Sequence, residues 1–500
     1  MRKFTGKKTI EEINGKIRNG DVVVITAEEM TDFVKENGTA KAAKEIDVVT
    51  TGTFGMMCSS GAFLNFGHSD PPIKFGGGEL HLNDVPAYTG LAAVDTYIGS
   101  TAPSRSLGLK YGGGHVIEDL IAKKTILLEA SAYGTDCYPR KQVKVEFTID
   151  DINQAYLYNP RNGYQRYFTA VNSTDKTIYT YLGELLPNFQ NAGTSGAGEL
   201  SPLMNDPDYE TIGIGTRVLV GGNQGYVLWE GTQHNPSSLL GTLAIGGNLR
   251  GMSTKFIRGA SVKGYGTSLY VGLGIPIPIL NEGLAKKTGI SDREIKSTVL
   301  DYSVPSRSRP PLAQVTYEQL KSGRIELNGK EVRVNFLSSL KKAREVAGDL
   351  KKKIKKGEFF LTNPVEKIST NTVFKPMSQK IDLVAKYLEP ASYISPEATI
   401  EEASSLIISK NKNQLIVTNG KNELEGIITS WDIAKAVTLK AKKVKEVMTR
   451  QVVTVKNTDT VLEAIRLLKK HDISSLPVLD GNKVVGMVTA EAISKKHKGD

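Results

Sequence analysis

The chain has 500 residues and a mass of 54.3 kDa, more than one ordinary core accommodates, so two or three domains are expected. Hydrophobic residues at 39% and charged residues at 23% fall in the globular range and argue against long disorder. The net charge of +11 is uneven: residues 340–357 carry eight basic side chains against Glu345 and Asp349, a local net of +6. Aromatic residues are not interleaved with that run, as a single-strand binder would require, so no nucleic-acid function is expected.

Two cysteines exclude a disulfide framework and any cysteine-based zinc or iron–sulfur site carried by this chain alone. Such sparse usage suits a reducing cytosol. The charged N-terminus has no apolar signal core, and the longest apolar run, residues 269–280, is short and broken by Gly272, Gly274, Pro276 and Pro278. A cytoplasmic protein with no membrane partner is expected.

In chain order, Thr9 with Glu12 three positions on reads as a capping box opening a helix. Residues 21–26 read as a first strand and 27–37 as the helix after it. Most of the 49 glycines precede residue 290, in clusters such as Gly76–Gly78, Gly112–Gly114, Gly221–Gly222 and Gly246–Gly247. Glycine clusters mark tight turns and close backbone approach, so this part is expected to be a loop-heavy mixed α/β (α+β) body. From Phe336 the period becomes helical: Leu337, Leu340, Ala343, Ala347, Leu350 and Ile354 share one stripe, with lysines on the other faces. Gly357 ends the helix, and residues 362–376 read as a linker.

The tail repeats itself. Gln414-Leu-Ile-Val-Thr-Asn-Gly returns as Ser475-Leu-Pro-Val-Leu-Asp-Gly, 61 positions on, and Gly426-Ile-Ile-Thr returns as Gly486-Met-Val-Thr, 60 positions on. Each copy reads strand, helix, strand, turn, strand, helix. With Val447-Met448-Thr449 and the Thr429-Ser-Trp-Asp432 strand end, the two copies resemble a CBS-domain pair (a Bateman module). The expected domains are a catalytic body at 1–335, a basic helix and linker at 336–382, and CBS repeats at 383–440 and 444–500. The resemblance implies regulation by an adenosyl ligand, S-adenosylmethionine or methylthioadenosine, with Asp432 accepting ribose hydroxyls and Thr429 and Thr489 adding contacts. Ala492 stands where the second copy would need its acid. A helix-capping role for Asp432 is the competing reading.

In the body, no P-loop occurs, and the Gly264-Tyr-Gly266 stretch lacks the third glycine and the helix of a dinucleotide fingerprint. His68, His81, His115 and His234 have no ligand spacing, and no G-x-S-x-G elbow is present. The two cysteines remain. Cys58 lies in TGTFGMMCSSG (51–61), with no cation beside it. Cys137 lies in AYGTDCYPRK (132–141), beside Arg140 and Lys141, the electropositive surroundings that favour a thiolate. Cys137 is therefore the better nucleophile on sequence grounds, with burial as an ordinary thiol the competing reading.

The two cysteine loops, the opening Met1-Arg-Lys-Phe-Thr-Gly-Lys-Lys-Thr-Ile and the CBS pair together resemble the methanogen homocysteine-biosynthesis family, whose members are L-aspartate semialdehyde sulfurtransferases. The resemblance implies sulfur carried as a persulfide on Cys137 and a supporting or resolving role for Cys58; the aldehyde needs polarising donors, for which Arg140, Lys141 and glycine-loop N–H groups are the candidates. It implies L-aspartate semialdehyde and sulfide as substrates. No cofactor is expected in the body, so electrons come from a small ferredoxin-like iron–sulfur protein, with the basic helix a candidate docking face. A homodimer through the CBS pairs is expected. The other classes left open are a non-catalytic adenosyl sensor and a CBS-regulated dehydrogenase of the inosinate type.

Overall fold

Thr9 opens α1 (Ile10–Asn19) with a reciprocal capping box: Glu12 N–H donates to Thr9 Oγ1 at 3.1 Å, and Thr9 N–H to Glu12 Oε2 at 2.8 Å. β1 (Val24–Thr26) is shorter than residues 21–26, because the Val23 N–H is taken by the buried Asp47 carboxylate at 3.0 Å. α2 (Ala27–Asn37) follows with the same box from Thr26 and Glu29. Then come α3 (Thr39–Glu45) and β2 (Val48–Thr50), which pairs parallel to β1. In this computed structural model the described residues are 7–303, 308–373, 375 and 382–497. The opening Met1–Gly6 and part of the expected linker (374 and 376–381) lie outside them.

The chain divides into two units, 1–374 and 375–500. The first is built on a nine-stranded sheet. Its order runs Ile257–Val262, Gly266–Gly274, Arg217–Val220, Asn223–Glu230, Leu243–Asn248, Gln154–Asn162, β4 (Gly61–Asn65) and Asp95–Gly99, with β3 (Thr53–Met56) added against Gly266–Gly274. Gly221 and Gly222, both at positive φ, form the two-residue turn between Arg217–Val220 and Asn223–Glu230. Gly246 and Gly247 lie within a strand instead, where added side chains would meet Leu228 and Val220. A six-stranded sheet (Pro311–Thr316 to Arg324–Leu327) and a four-stranded sheet (Gln142–Phe147 to Val85–Ala87) complete the body. The apolar run at 269–280 is thus mostly strand, and buried except at half-buried Tyr270 and Leu280. Among the described residues no helix is long and apolar enough to cross a membrane.

The basic helix spans Leu340–Lys355 and buries Ala343, Val346, Ala347, Leu350 and Ile354. It begins after the expected stripe does: Leu337 sits in the connection, its N–H donating to Thr194 O at 2.8 Å. The helix lies directly over Gly52, where a Cβ would strike the Ala343 carbonyl and lie 2.8 Å from Ala347 N. Half of the eight cations of the run are answered: Arg344 pairs with Glu28, Lys351 with Glu29, Lys342 with Glu345 and, just past the helix, Lys356 with Glu358.

The second unit repeats one plan. Tyr393–Ile394, Gln414–Thr418 and Leu424–Thr429 form one three-stranded sheet; Val455–Lys456, Ser475–Asp480 and Lys483–Thr489 form the other. In both, the first pair is parallel and the second antiparallel, with Ile394 opposite Val417 and Val455 opposite Val478. The chain is a mixed α/β protein.

Candidate active site

β3 and β4 are joined by residues 57–60, and β3 runs antiparallel to Gly266–Gly274 with Met56 opposite Tyr270. Met57 N–H donates to Leu269 O at 2.8 Å, so the next residue, Cys58, meets Ser268. The Ser268 hydroxyl donates to the Cys58 sulfur at 3.2 Å, and the Tyr265 hydroxyl is a second hydrogen-bond partner. Ser100 Oγ holds the Cys58 carbonyl at 3.0 Å. A glycine secures this contact from behind: Gly114 packs on the Ser268 carbonyl so closely that a side chain would displace it.

Cys58 is half-buried and lines a cavity of about 430 Å³ with Ser59, Arg161, Tyr164, Arg166, Tyr167, Tyr265 and Arg309 among its walls. Burial raises the Tyr164 hydroxyl to about 12, and it raises Tyr265 as well, with the Cys58 charge adding to the effect. Burial also raises Tyr270 and Tyr167. These phenols stay protonated at neutral pH; Tyr270 gives its proton to Leu337 O at 2.7 Å, whereas Tyr164, Tyr167 and Tyr265 line the cavity, and protonated phenols can donate to a thiolate, a persulfide or a developing oxyanion. Donors to sulfur and nearby guanidinium groups are the surroundings a reactive thiolate needs.

Cys137 is exposed, in a turn where Thr135 and Tyr138 exchange backbone hydrogen bonds at 2.9 and 3.1 Å. The cations beside it in sequence are not assembled around it in a closed pocket. The Arg140 guanidinium donates to the carbonyls of Pro71 (3.0 Å) and Asp70, and its side chain lines a separate open cleft with His81, Arg105, Glu129 and Lys144. Tyr138 stacks on His68 at 5.4 Å between ring centroids. His68 follows the far end of β4, whereas Cys58 precedes the near end, where Gly61 pairs with Gly99. Both cysteines are free thiols.

Sequence reasoning missed Arg161, Arg166, Tyr164, Tyr167, Tyr265 and Ser268. A signal existed for the first four: residues 161–168 read RNGYQRYF, two arginines and two tyrosines interleaved. His234 is structural: its Nδ1 accepts from Thr242 N–H at 3.0 Å and its Nε2 lies 2.9 Å from Ser369 O. Among the described residues, no three His, Cys, Asp or Glu side chains are grouped to hold a metal ion.

In the second unit, Asp432 is buried at the third position of the helix Ser430–Leu439 and completes a capping box. Its Oδ2 accepts from Thr429 N–H at 2.9 Å and from Thr429 Oγ1 at 2.7 Å; Oδ1 faces Lys435 at 3.7 Å. In the second copy Thr489 donates to Glu389 Oε2 at 3.0 Å and caps Ala492 N–H at 3.0 Å.

Residues 22–361 match the family described as homocysteine biosynthesis enzyme, sulfur-incorporation, and residues 384–439 and 444–498 each match a CBS domain. The chain is 50% identical to an L-aspartate semialdehyde sulfurtransferase of Methanosarcina acetivorans, covering 98% of each chain. It is 49% identical to one of Methanocaldococcus jannaschii, covering 98% of this chain and 99% of that one. A CBS-domain pair solved in complex with 5′-methylthioadenosine and S-adenosyl-L-methionine is 39% identical and covers 24% of this chain and 98% of its own, at a TM-score of 0.23. The chain is an enzyme that belongs to the homocysteine-biosynthesis, sulfur-incorporation family, with a pair of CBS domains at its C-terminal end.

Proposed function

We propose that this chain is a sulfurtransferase that adds sulfur to the aldehyde of L-aspartate semialdehyde, the product becoming L-homocysteine on reduction. The observation that supports the reading most directly is the cavity under Cys58, where a half-buried thiol, protonated phenols and guanidinium groups surround a space of metabolite size. Sulfur enters on exposed Cys137 as a persulfide when a sulfane-sulfur donor such as a polysulfide transfers one sulfur atom to the thiolate and leaves one sulfur shorter. It is used at the cavity, where Cys58 supports its transfer. Arg140, committed to Asp70 and Pro71, acts by holding the Cys137 loop.

Converting an aldehyde and hydrogen sulfide into a thiol and water takes two electrons and two protons, and four of each when the sulfur is supplied as the outer sulfur of a persulfide. With two cysteines and no nucleotide fingerprint in the sequence, the source is a separate ferredoxin-like iron–sulfur protein. On the basic helix, Lys341, Lys352, Lys353 and Lys355 are the cations left to meet an acidic partner. The CBS pair binds an adenosyl ligand, S-adenosylmethionine or methylthioadenosine, through Asp432 Oδ1 in the first copy. It also joins two chains, which would cover Trp431 and its apolar neighbours. The deciding assay supplies L-aspartate semialdehyde and sulfide: homocysteine should accumulate only when a reduced low-potential iron–sulfur protein is added. Turnover with NADH alone would overturn the reading and favour the dehydrogenase class.

A further inference from the structure

The strand Gln154–Asn162 pairs regularly with Leu243–Asn248 until its register shifts between Asn159 and Asn162. Such an irregularity re-aims the side chain at that point, and here it delivers Arg161 to the wall of the Cys58 cavity. Arg166 arrives five residues later. One terminal nitrogen of Arg161 donates to Gln233, and one of Arg166 donates to Ser238 O at 3.3 Å. The Nε of each is buried and has no hydrogen-bond partner, and the hydroxyl of Tyr167 is in the same condition. Arg309, the third guanidinium on the cavity, lies over the Tyr302 ring at 4.4 Å. No aspartate or glutamate is among the residues that line the space. Guanidinium groups that are partly buried, with a buried Nε left unpaired, are costly unless a ligand answers them, and a planar carboxylate answers two parallel N–H donors best.

We propose that Arg161 and Arg166 form the carboxylate-binding subsite of this cavity and hold the α-carboxylate of the substrate so that its aldehyde faces Cys58. The inference rests on the substrate reading above and adds the residues that select it. Three consequences follow from the geometry. An amino acid of four carbons is retained by its acid group, not by its reacting end. Neutralising that group abolishes retention. A ligand seated there shields Cys58 and leaves exposed Cys137 untouched.

The test uses the full chain and the rate at which iodoacetamide alkylates each cysteine, read by peptide mass spectrometry. L-homoserine, the unreactive alcohol with the same carbon skeleton, is the probe; its amide and inorganic phosphate are the comparisons. Saturating L-homoserine should slow alkylation of Cys58 at least tenfold with no change at Cys137, and the amide should give no protection. Arg161→Gln and Arg166→Gln should each raise the half-protecting concentration at least tenfold. Equal protection by acid and amide, protection by phosphate without protection by L-homoserine, or no protection at all would overturn the proposal. The acid–amide comparison needs no variant, so a misfolded variant does not blunt it. If homocysteine formation fails while L-homoserine still protects Cys58 in an arginine-dependent way, the reaction is misread and the subsite stands.

Discussion

Cys58 and Cys137 differ in what their sulfurs touch, and that difference sets the expected consequence of losing each. Serine at either position keeps size and hydrogen bonding but cannot become a persulfide. Cys137→Ser should remove the 32 Da sulfur adduct from that peptide after exposure to polysulfide, a sulfane-sulfur donor, and lower activity by about 10³-fold, the scale for loss of a covalent carrier. Cys58→Ser should leave the adduct on Cys137 and lower turnover less, about 10²-fold, because the serine keeps its contact with Ser268. A dead Cys58→Ser beside an active Cys137→Ser would reverse the roles.

A second residue carries a pH dependence. Burial, reinforced by Asp292, raises the Glu199 carboxyl to about 7, with Lys321 opposing. Glu199 N–H donates to Asp292 Oδ1 at 3.0 Å and Asp292 N–H to Glu199 Oε2 at 3.1 Å. Because the folded value lies above the unfolded one, the native state binds the proton more tightly. Stability on this account falls as pH rises from about 4.5 to 7 and is level above. Glu199→Gln should remove that decline, an effect of order 2 kcal/mol after allowance for partial exposure, visible in urea titrations at pH 5 and pH 8.

At the scale of elements, the Leu340–Lys355 helix was legible because its apolar stripe and its stop at Gly357 are local patterns. Its start was read three residues early: Leu337 fits the stripe's spacing, but its backbone is engaged by Thr194 in the connection. What the spacing could not show is why the helix rests where it does. Gly52 has no side chain, so the helix backbone at Ala343 and Ala347 closes onto the start of the Cys58 loop. Gly52→Ala should separate the two, destabilising the protein by about 1–3 kcal/mol and lowering activity with it. An unchanged thermal midpoint would show that the helix yields without cost. The basic character of the helix also reads differently in three dimensions, since Glu28 and Glu29 of α2 answer Arg344 and Lys351.

For the whole molecule, the CBS unit joins two predictions. Asp432 caps its helix through Oδ2, while Oδ1 faces Lys435 at 3.7 Å, so the proposed ligand role does not compete with capping. Asp432→Ala should cost about 1 kcal/mol of stability and weaken adenosyl-ligand binding roughly 30- to 150-fold by calorimetry, the loss of a charged acceptor. Unchanged affinity would remove Asp432 from the site. On the same helix Trp431, Val437 and Leu439 are 71%, 74% and 69% exposed, and Ile408 on the neighbouring helix is 75% exposed. The proposed dimer through the CBS pair would cover these side chains; on that reading Trp431→Glu should shift the protein toward monomer in sedimentation.

Capping boxes at Thr9, Thr26 and Thr399, the tail repeat and the CBS plan were determined by the sequence itself, because each depends on residues three apart or on a pattern that recurs at a constant interval. The cavity was decided by tertiary structure alone. Cys58, Arg161 and Ser268 lie about a hundred residues apart, and only the pairing of β3 with Gly266–Gly274 and the register shift in Gln154–Asn162 bring them onto one space. The converse holds at Cys137. Arg140 is its neighbour in sequence, but its guanidinium turns to carbonyls 69 and 70 residues earlier, because the backbone acceptors of Asp70 and Pro71 lie within its reach. Charge adjacent in sequence becomes charge at a site only when the fold leaves it free.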